Sequence, residues 1–211
     1  MTDRYDTSSN PEGQYQPGSN NTVLSNKLGV TDTDEMDNLE FDLLRKAQAD
    51  ILDIVQIDQQ LSSQDLCGWH QRWLGSVYEW AGGYRSVNME KDGFIFAASY
   101  LIPKLMDDFD KQYLSCYTPC SELSDQALIE ALAVCHVEFI IIHPFREGNG
   151  RLGRLLAMIM ALQANKPSLN FDYMVKYKKD YILAIHAGHG GNYEPMKQVF
   201  EQVLKASEQT D

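Results

Sequence analysis

The sequence predicts an all-α protein, a bundle of about six to eight helices with one small β-hairpin. Three observations lead there. Apolar residues recur at three- and four-residue spacing in most segments, the period of a helix with one buried face. Strand signals are nearly confined to the stretch around Asp92-Gly93, a pair that closes hairpins. No internal repeat is present at any period. With 211 residues and 44% hydrophobic content, the chain suffices for one domain with a sizeable core, or one domain plus short tails.

Residues 1–22 are rich in Ser, Asn, Gln, Pro and Gly, with Asn10-Pro11, Pro17-Gly18 and Asn20-Asn21 as turn signals, and they offer little to bury. A flexible N-terminal arm is expected there, and the folded domain over 23–211. Val23 to Val30 brings back apolar residues. Thr31 or Thr33 can cap a helix through about Val55, with Asp34 and Glu35 in its first turn and Leu39, Leu43, Ala47, Ile51 and Ile54 on the buried face.

Ser62 with Asp65 reads as a capping box for the next helix, where Leu66, Trp69, His70, Trp73, Leu74 and Val77 keep helical spacing. His70 lies within that apolar face and is expected as a core histidine bonded to a backbone group. Ala81-Gly82-Gly83-Tyr84-Arg85 ends the helix, and Ser86 to Phe96 forms the hairpin. A hairpin with an open edge can pair with an extended stretch of another protein. Ala97 to Phe109 is helical by pattern, with Pro103 kinking it or starting a fresh turn. Residues 114–123 read as a loop, ended by Ser121 or Ser124 as cap of the following helix.

Ala127 to Ile142 carries Leu128, Ala131, Leu132, Cys135, Phe139 and Ile142 on one apolar face. Pro144 stops it, because a proline pushes its predecessor out of the α region. Arg151 to Ala164 is helical again, with Leu155, Leu156, Met158, Ile159 and Leu162 apolar, so Gly148-Asn149-Gly150 falls at a helix N-terminus. After Lys166-Pro167, Asp172 can cap a helix bearing Val175, Ile182, Ala184 and Ile185. Gly188 to Asn192 breaks it, and Glu194 to Ala206 buries Met196, Val199, Phe200, Val203 and Leu204. The glycine run precedes no strand and lacks the P-loop lysine, so it reads as a helix connection. Tyr177, Tyr181 and Tyr193 either border a base-binding pocket or belong to the core.

Net charge of −12 and a pI near 4.8 argue against nucleic-acid binding, which needs a basic face to displace counterions. No stretch approaches the roughly 20 apolar residues of a membrane span, and Met1 to Asp6 lacks the regions of a secretory signal, so a cytoplasmic protein is expected. Cys67, Cys116, Cys120 and Cys135 are too few and too irregular for a disulfide framework and read as free thiols.

The basic residues that matter are concentrated in His143-Pro144-Phe145-Arg146-Glu147-Gly148-Asn149-Gly150-Arg151-Leu152-Gly153-Arg154, between two apolar helices. Unpaired N–H groups of a first helical turn, the macrodipole and permissive glycines make such a place an anion site, and phosphate is its natural guest. Arg151 and Arg154, three apart, are neighbours on one helix face and can fork onto phosphate oxygens. Glu147 beside so much positive charge suits a hard cation shared with phosphates, the ordinary arrangement for Mg²⁺. His143 is one loop-width away and can take a proton from a hydroxyl at neutral pH.

This stretch, 143–154, resembles the Fic family motif H-P-F-x-[D/E]-G-N-G-R-x-x-R at every defined position. The kinase-like Doc branch carries a lysine where this chain has Gly150, so the resemblance implies the branch that moves AMP from ATP onto a protein hydroxyl. It implies a Fic-type helical bundle over about residues 15–205. His143 would be the base, Glu147 would hold Mg²⁺ against the α- and β-phosphates, and Asn149 would orient the α-phosphate. Arg151 would bind the β-phosphate and Arg154 the γ-phosphate, with Gly148 and Gly150 permitting the backbone cradle. Phe145 belongs to the same nucleotide-binding loop and would anchor it in the core.

Gly82, Tyr84, Arg85 and Phe96 are similar to the family's flap element, which places a flap at about residues 84–96 to hold the target side chain. Tyr15, Pro17-Gly18 and Val23 to Val30 resemble the lead-in of many bacterial members. Alternatives within the resemblance are another phosphate donor, removal of AMP, or a toxin-type interaction module silenced by a partner. Members are often inhibited by a helix bearing [S/T]-x-x-x-E-[G/N], whose glutamate pairs with the second motif arginine. Ser8 to Gly13 fits those letters, but Pro11 sits where helical hydrogen bonding is wanted. A separate small antitoxin carrying the glutamate, aimed at Arg154, is the expectation.

Overall fold

Helices dominate the computed structural model, which describes residues 10–91 and 93–209. The helices are α1 Thr33–Ile54, α2 Ser63–Leu74, α3 Ile102–Phe109, α4 Ser115–Tyr117, α5 Asp125–Ile142, α6 Asn149–Gln163, α7 Asp172–Lys176, α8 Lys178–His189 and α9 Glu194–Glu208. Among the described residues the single sheet is an antiparallel hairpin, β1 Glu90–Lys91 and β2 Phe94–Ile95, with Glu90 opposite Ile95 and Lys91 opposite Phe94. The fold is therefore all-α with one small hairpin, as the periodicity predicts.

Cα packing divides the chain into two units. The first comprises Met1–Ile54, Gln64–Lys104 and His143–Gly148; the second comprises Val55–Ser63, Leu105–Ile142 and Asn149–Asp211. In the first, α1 and α2 bury Met36, Ala47, Ile51, Leu66, Trp69, Trp73 and Leu74, with Val77, Tyr78 and Phe145 in the same core. Two buried aromatic groups are fixed by a polar residue: the Trp73 indole N–H donates to the Glu40 carbonyl at 2.8 Å and the Tyr78 hydroxyl to its carboxylate at 2.7 Å. Residues 10–22 carry a 3₁₀ turn at Pro11–Gly13 and an isolated bridge between Tyr15 and Leu24.

In the second unit α5 is the central rod, packed by α6, α8 and α9. One apolar face was the expectation from spacing, yet Ala133, Val134, His136, Val137 and Ile140 are buried as well. A helix packed by neighbours on several sides loses most of its polar stripe, and exposure on α5 is confined to its first two turns, at Asp125, Gln126 and Glu130. Gln163 ends α6 by donating to the carbonyls of Gln56 and Gln59 and accepting from the Cys120 N–H.

Several local expectations are corrected. Asp32, not Thr31 or Thr33, caps α1 by accepting the Glu35 N–H at 2.9 Å, and Ile54 is 52% exposed at the frayed end of that helix. The second helix stops at Leu74, before Val77 and the glycines, and residues 75–83 form successive turns closed by Gly75 N–H to Gln71 and Val77 N–H to Leu74. The expected loop at 114–123 begins only after Tyr117, because α3 passes through a π-helical stretch, Asp110–Leu114, into α4. Pro103 lies in the first turn of α3, where its missing N–H costs nothing. Ser124 caps α5, its hydroxyl accepting the Ala127 N–H. The glycine run does not interrupt α8 until His189, and Gly188 is buried within it. All four cysteines are unpaired by disulfides.

Candidate active site

The motif divides at Gly148: His143–Gly148 belong to the first unit and Asn149 opens α6 in the second. In the first unit, His143 takes a left-handed backbone with φ of 52°, uncommon for a non-glycine residue. Arg85 holds that backbone. Its Nε donates to the His143 carbonyl at 2.6 Å, and its backbone N–H to the Pro144 carbonyl at 2.8 Å. Nη1 and Nη2 donate to the Val87 and Ala97 carbonyls, each at 2.6 Å, on either side of the hairpin. Burial lowers the Arg85 pKa to about 10, with the Glu12 charge opposing, so it stays charged at neutral pH. The His143 imidazole stacks on Phe96, with centroids 3.7 Å apart and planes 17° from parallel.

The next residues anchor the loop. Phe145 is fully buried and stacks on His70 at 4.1 Å, so its ring holds the loop in place and leaves the backbone for any ligand. His70, fully buried, accepts the Gly82 N–H on Nδ1 at 2.8 Å. Its Nε2 must then carry the proton, and it donates to the Glu147 carbonyl at 3.1 Å. The imidazole thus ties the turn after α2 to the backbone of the candidate metal ligand.

Glu147 folds its carboxylate onto the next amide, Oε1 accepting the Gly148 N–H at 2.8 Å. Gly148 has φ of 83°, and a Cβ there would stand 2.5 Å from Trp73 Cζ3, so both backbone and space demand glycine. Arg146 donates from Nε to the Glu12 carbonyl at 2.7 Å. The Glu12 carboxylate accepts the Ser86 N–H at 2.7 Å, and Asn10 donates to the Ser86 hydroxyl.

In the second unit, Asn149 is 2% exposed at the first position of α6. The first turn of α6 carries the positive end of the helix dipole. Arg154 lies back over the same turn: a Cβ on Gly150 would stand 3.8 Å from its Nη1. Burial depresses the Arg154 pKa, the Arg151 charge acting the same way, which marks two cations sharing one helix end.

Glu147 is the single carboxylate within the stretch His143 to Arg154. Among the described residues no group of three or more His, Cys, Asp and Glu is placed to bind one. That donor set fits Mg²⁺, which keeps water and substrate oxygens as most of its ligands, and does not fit a dedicated protein cage. Of the tyrosines considered for a base pocket, Tyr181 bonds His136 and Tyr193 bonds Glu138.

Arg146, Glu12, Arg85 and His136 take structural roles that the sequence does not assign them. Of these, only the buried helix bearing His136 carried a local signal. The other links join residues dozens of positions apart.

The Fic/DOC family model matches residues 60–161. The chain is 24% identical to a probable protein adenylyltransferase Fic of Salmonella typhimurium, over 100% of both chains. It is 26% identical to a protein adenylyltransferase Fic of Nematostella vectensis over 67% of this chain, which spans only 32% of that relative. A solved structure of BepC, a VirB-translocated effector protein of Bartonella tribocorum with bound AMPPNP, superposes with a TM-score of 0.69 at 24% identity, covering 86% of this chain and 92% of that one. Among the described residues, no helix is long and apolar enough to cross a membrane.

Proposed function

We propose, from the match of residues 60–161 to the Fic/DOC family model, that this chain is a protein adenylyltransferase that moves AMP from ATP to a Ser, Thr or Tyr hydroxyl of a target protein. The observation that carries this reading is the intact stretch His143 to Arg154, its histidine held at a fixed φ by Arg85 and its arginines laid at the start of α6.

In the proposed reaction the His143 imidazole takes the proton of the target hydroxyl. That oxygen forms a bond to the α-phosphorus while the bond from the α-phosphorus to the β-bridging oxygen breaks in line, and pyrophosphate leaves. Asn149 and the first-turn amides of α6 orient the α-phosphate, Arg151 binds the β-phosphate and Arg154 the γ-phosphate, so charge is neutralised where it accumulates. Gly148 and Gly150 let the backbone approach the phosphates. Glu147 would hold Mg²⁺, which would supply further neutralisation of phosphate charge. The segment 84–96 is proposed as the flap on which the target docks, the hairpin edge pairing with extended backbone.

Inhibition is proposed to come from a separate small antitoxin whose glutamate meets Arg154. Ser8 of the letter match lies outside the described residues. Glu12 supports the reading: its carboxylate is engaged by the Ser86 N–H within the first unit. Activity of Glu12→Gly no higher than wild type is the expected result, and a marked rise would assign inhibition to Glu12 itself. Cytoplasmic action belongs to the same proposal.

Parallel incubations with ATP labelled at the α- or the γ-phosphate test the reaction class. Label on protein from the α-position alone supports AMP transfer; label from the γ-position alone would make the protein a kinase.

A further inference from the structure

The proposed chemistry leaves one buried histidine without a task. His136 is on α5 in the second unit and is 1% exposed. Its Nε2 lies 2.9 Å from the Tyr181 hydroxyl of α8, with ring centroids 5.8 Å apart. The same imidazole faces Gly153 of α6: a Cβ on Gly153 would stand 3.3 Å from both Cε1 and Nδ1. Helix α6 therefore approaches this ring as closely as a glycine allows, one residue before Arg154.

Charge fits the geometry. Burial pushes the His136 pKa down to about 4, so the ring is neutral at pH 7 and adds no repulsion to Arg154. Burial raises the Tyr181 phenol to about 12, and the Arg154 charge acts against that rise, so the phenol dipole lies within the field of the guanidinium.

We propose that Tyr181 and His136 form a positioning pair for Arg154: the hydrogen bond fixes the imidazole, and the imidazole sets the first turns of α6 through Gly153. The inference rests on the nucleotide-site reading, in which Arg154 meets the terminal phosphate. Neither residue touches substrate.

Calorimetric titration of wild type, Tyr181→Phe, Arg154→Ala and the double variant with ATP, and separately with ADP, tests it. Tyr181→Phe keeps volume and removes one oxygen. It is expected to weaken ATP by about fivefold, the worth of one hydrogen bond, while leaving ADP nearly unchanged. In the Arg154→Ala background it should cost nothing further. Gly153→Ala, which sets a methyl 3.3 Å from the imidazole and 3.2 Å from Phe139 Cδ1, should reproduce the selective loss. Equal weakening of ATP and ADP, or full additivity with Arg154→Ala, would overturn the pair's role and leave the nucleotide site standing. Wild type that binds no ATP would overturn both.

Discussion

The Arg85 guanidinium holds the His143 carbonyl at 2.6 Å while its other two nitrogens hold carbonyls on both sides of the hairpin. One buried cation therefore fixes the backbone of the proposed base and the root of the proposed flap together. Only arginine offers a planar fork with enough donors for three separated carbonyls; an ammonium reaches one of them well. Arg85→Ala strands three acceptors and should cost about 2–4 kcal/mol in urea unfolding. Arg85→Lys should recover less than half of that. In both, target labelling should fall more than ATP affinity.

His70 bridges the Gly82 amide and the Glu147 carbonyl, and it packs flat on Phe145. His70→Ala removes both bonds and opens a cavity, so a loss of about 3 kcal/mol is expected by denaturant unfolding. The midpoint for Mg²⁺ activation should shift to higher concentration, because the Glu147 backbone is no longer fixed.

Gly148→Ala puts a methyl against Trp73, whose ring is itself held through its N–H to Glu40. The left-handed backbone adds strain of its own. At least about 2 kcal/mol should be lost, with AMP transfer reduced tenfold or more.

Stability should fall with acid through His136. Unfolded histidine binds a proton below about 6.5, whereas the folded imidazole stays neutral to about 4. The contribution is complete above the unfolded value and is lost as pH falls through that window. Between pH 7 and pH 5 wild type should lose about 2 kcal/mol more than His136→Gln, measured by chemical denaturation at both pH values.

Much of this was legible in the sequence for a physical reason: a helix period, a proline stop, a glycine-led N-terminus and a turn pair are written in neighbouring residues. The motif at 143–154 and the hairpin at Asp92-Gly93 are of this kind. Partners distant in sequence are not. His70 was readable as a core histidine, but its link to Glu147, 77 residues on, was not; nor was the 58-residue link from Arg85 to His143. Ile54 kept the helical period yet ends exposed, because period marks a face and not how far the packing extends along it. The π-helical continuation to Tyr117 went unread because the stretch 114–123 lacks a sustained apolar period.

The most direct measurement is incorporation of label from α-labelled ATP by wild type and by His143→Ala, with itself or a host lysate as acceptor. Base catalysis by His143 predicts labelled protein with wild type and a loss of at least about a hundredfold in the variant. Equal labelling by the two would contradict the assignment of the imidazole as base.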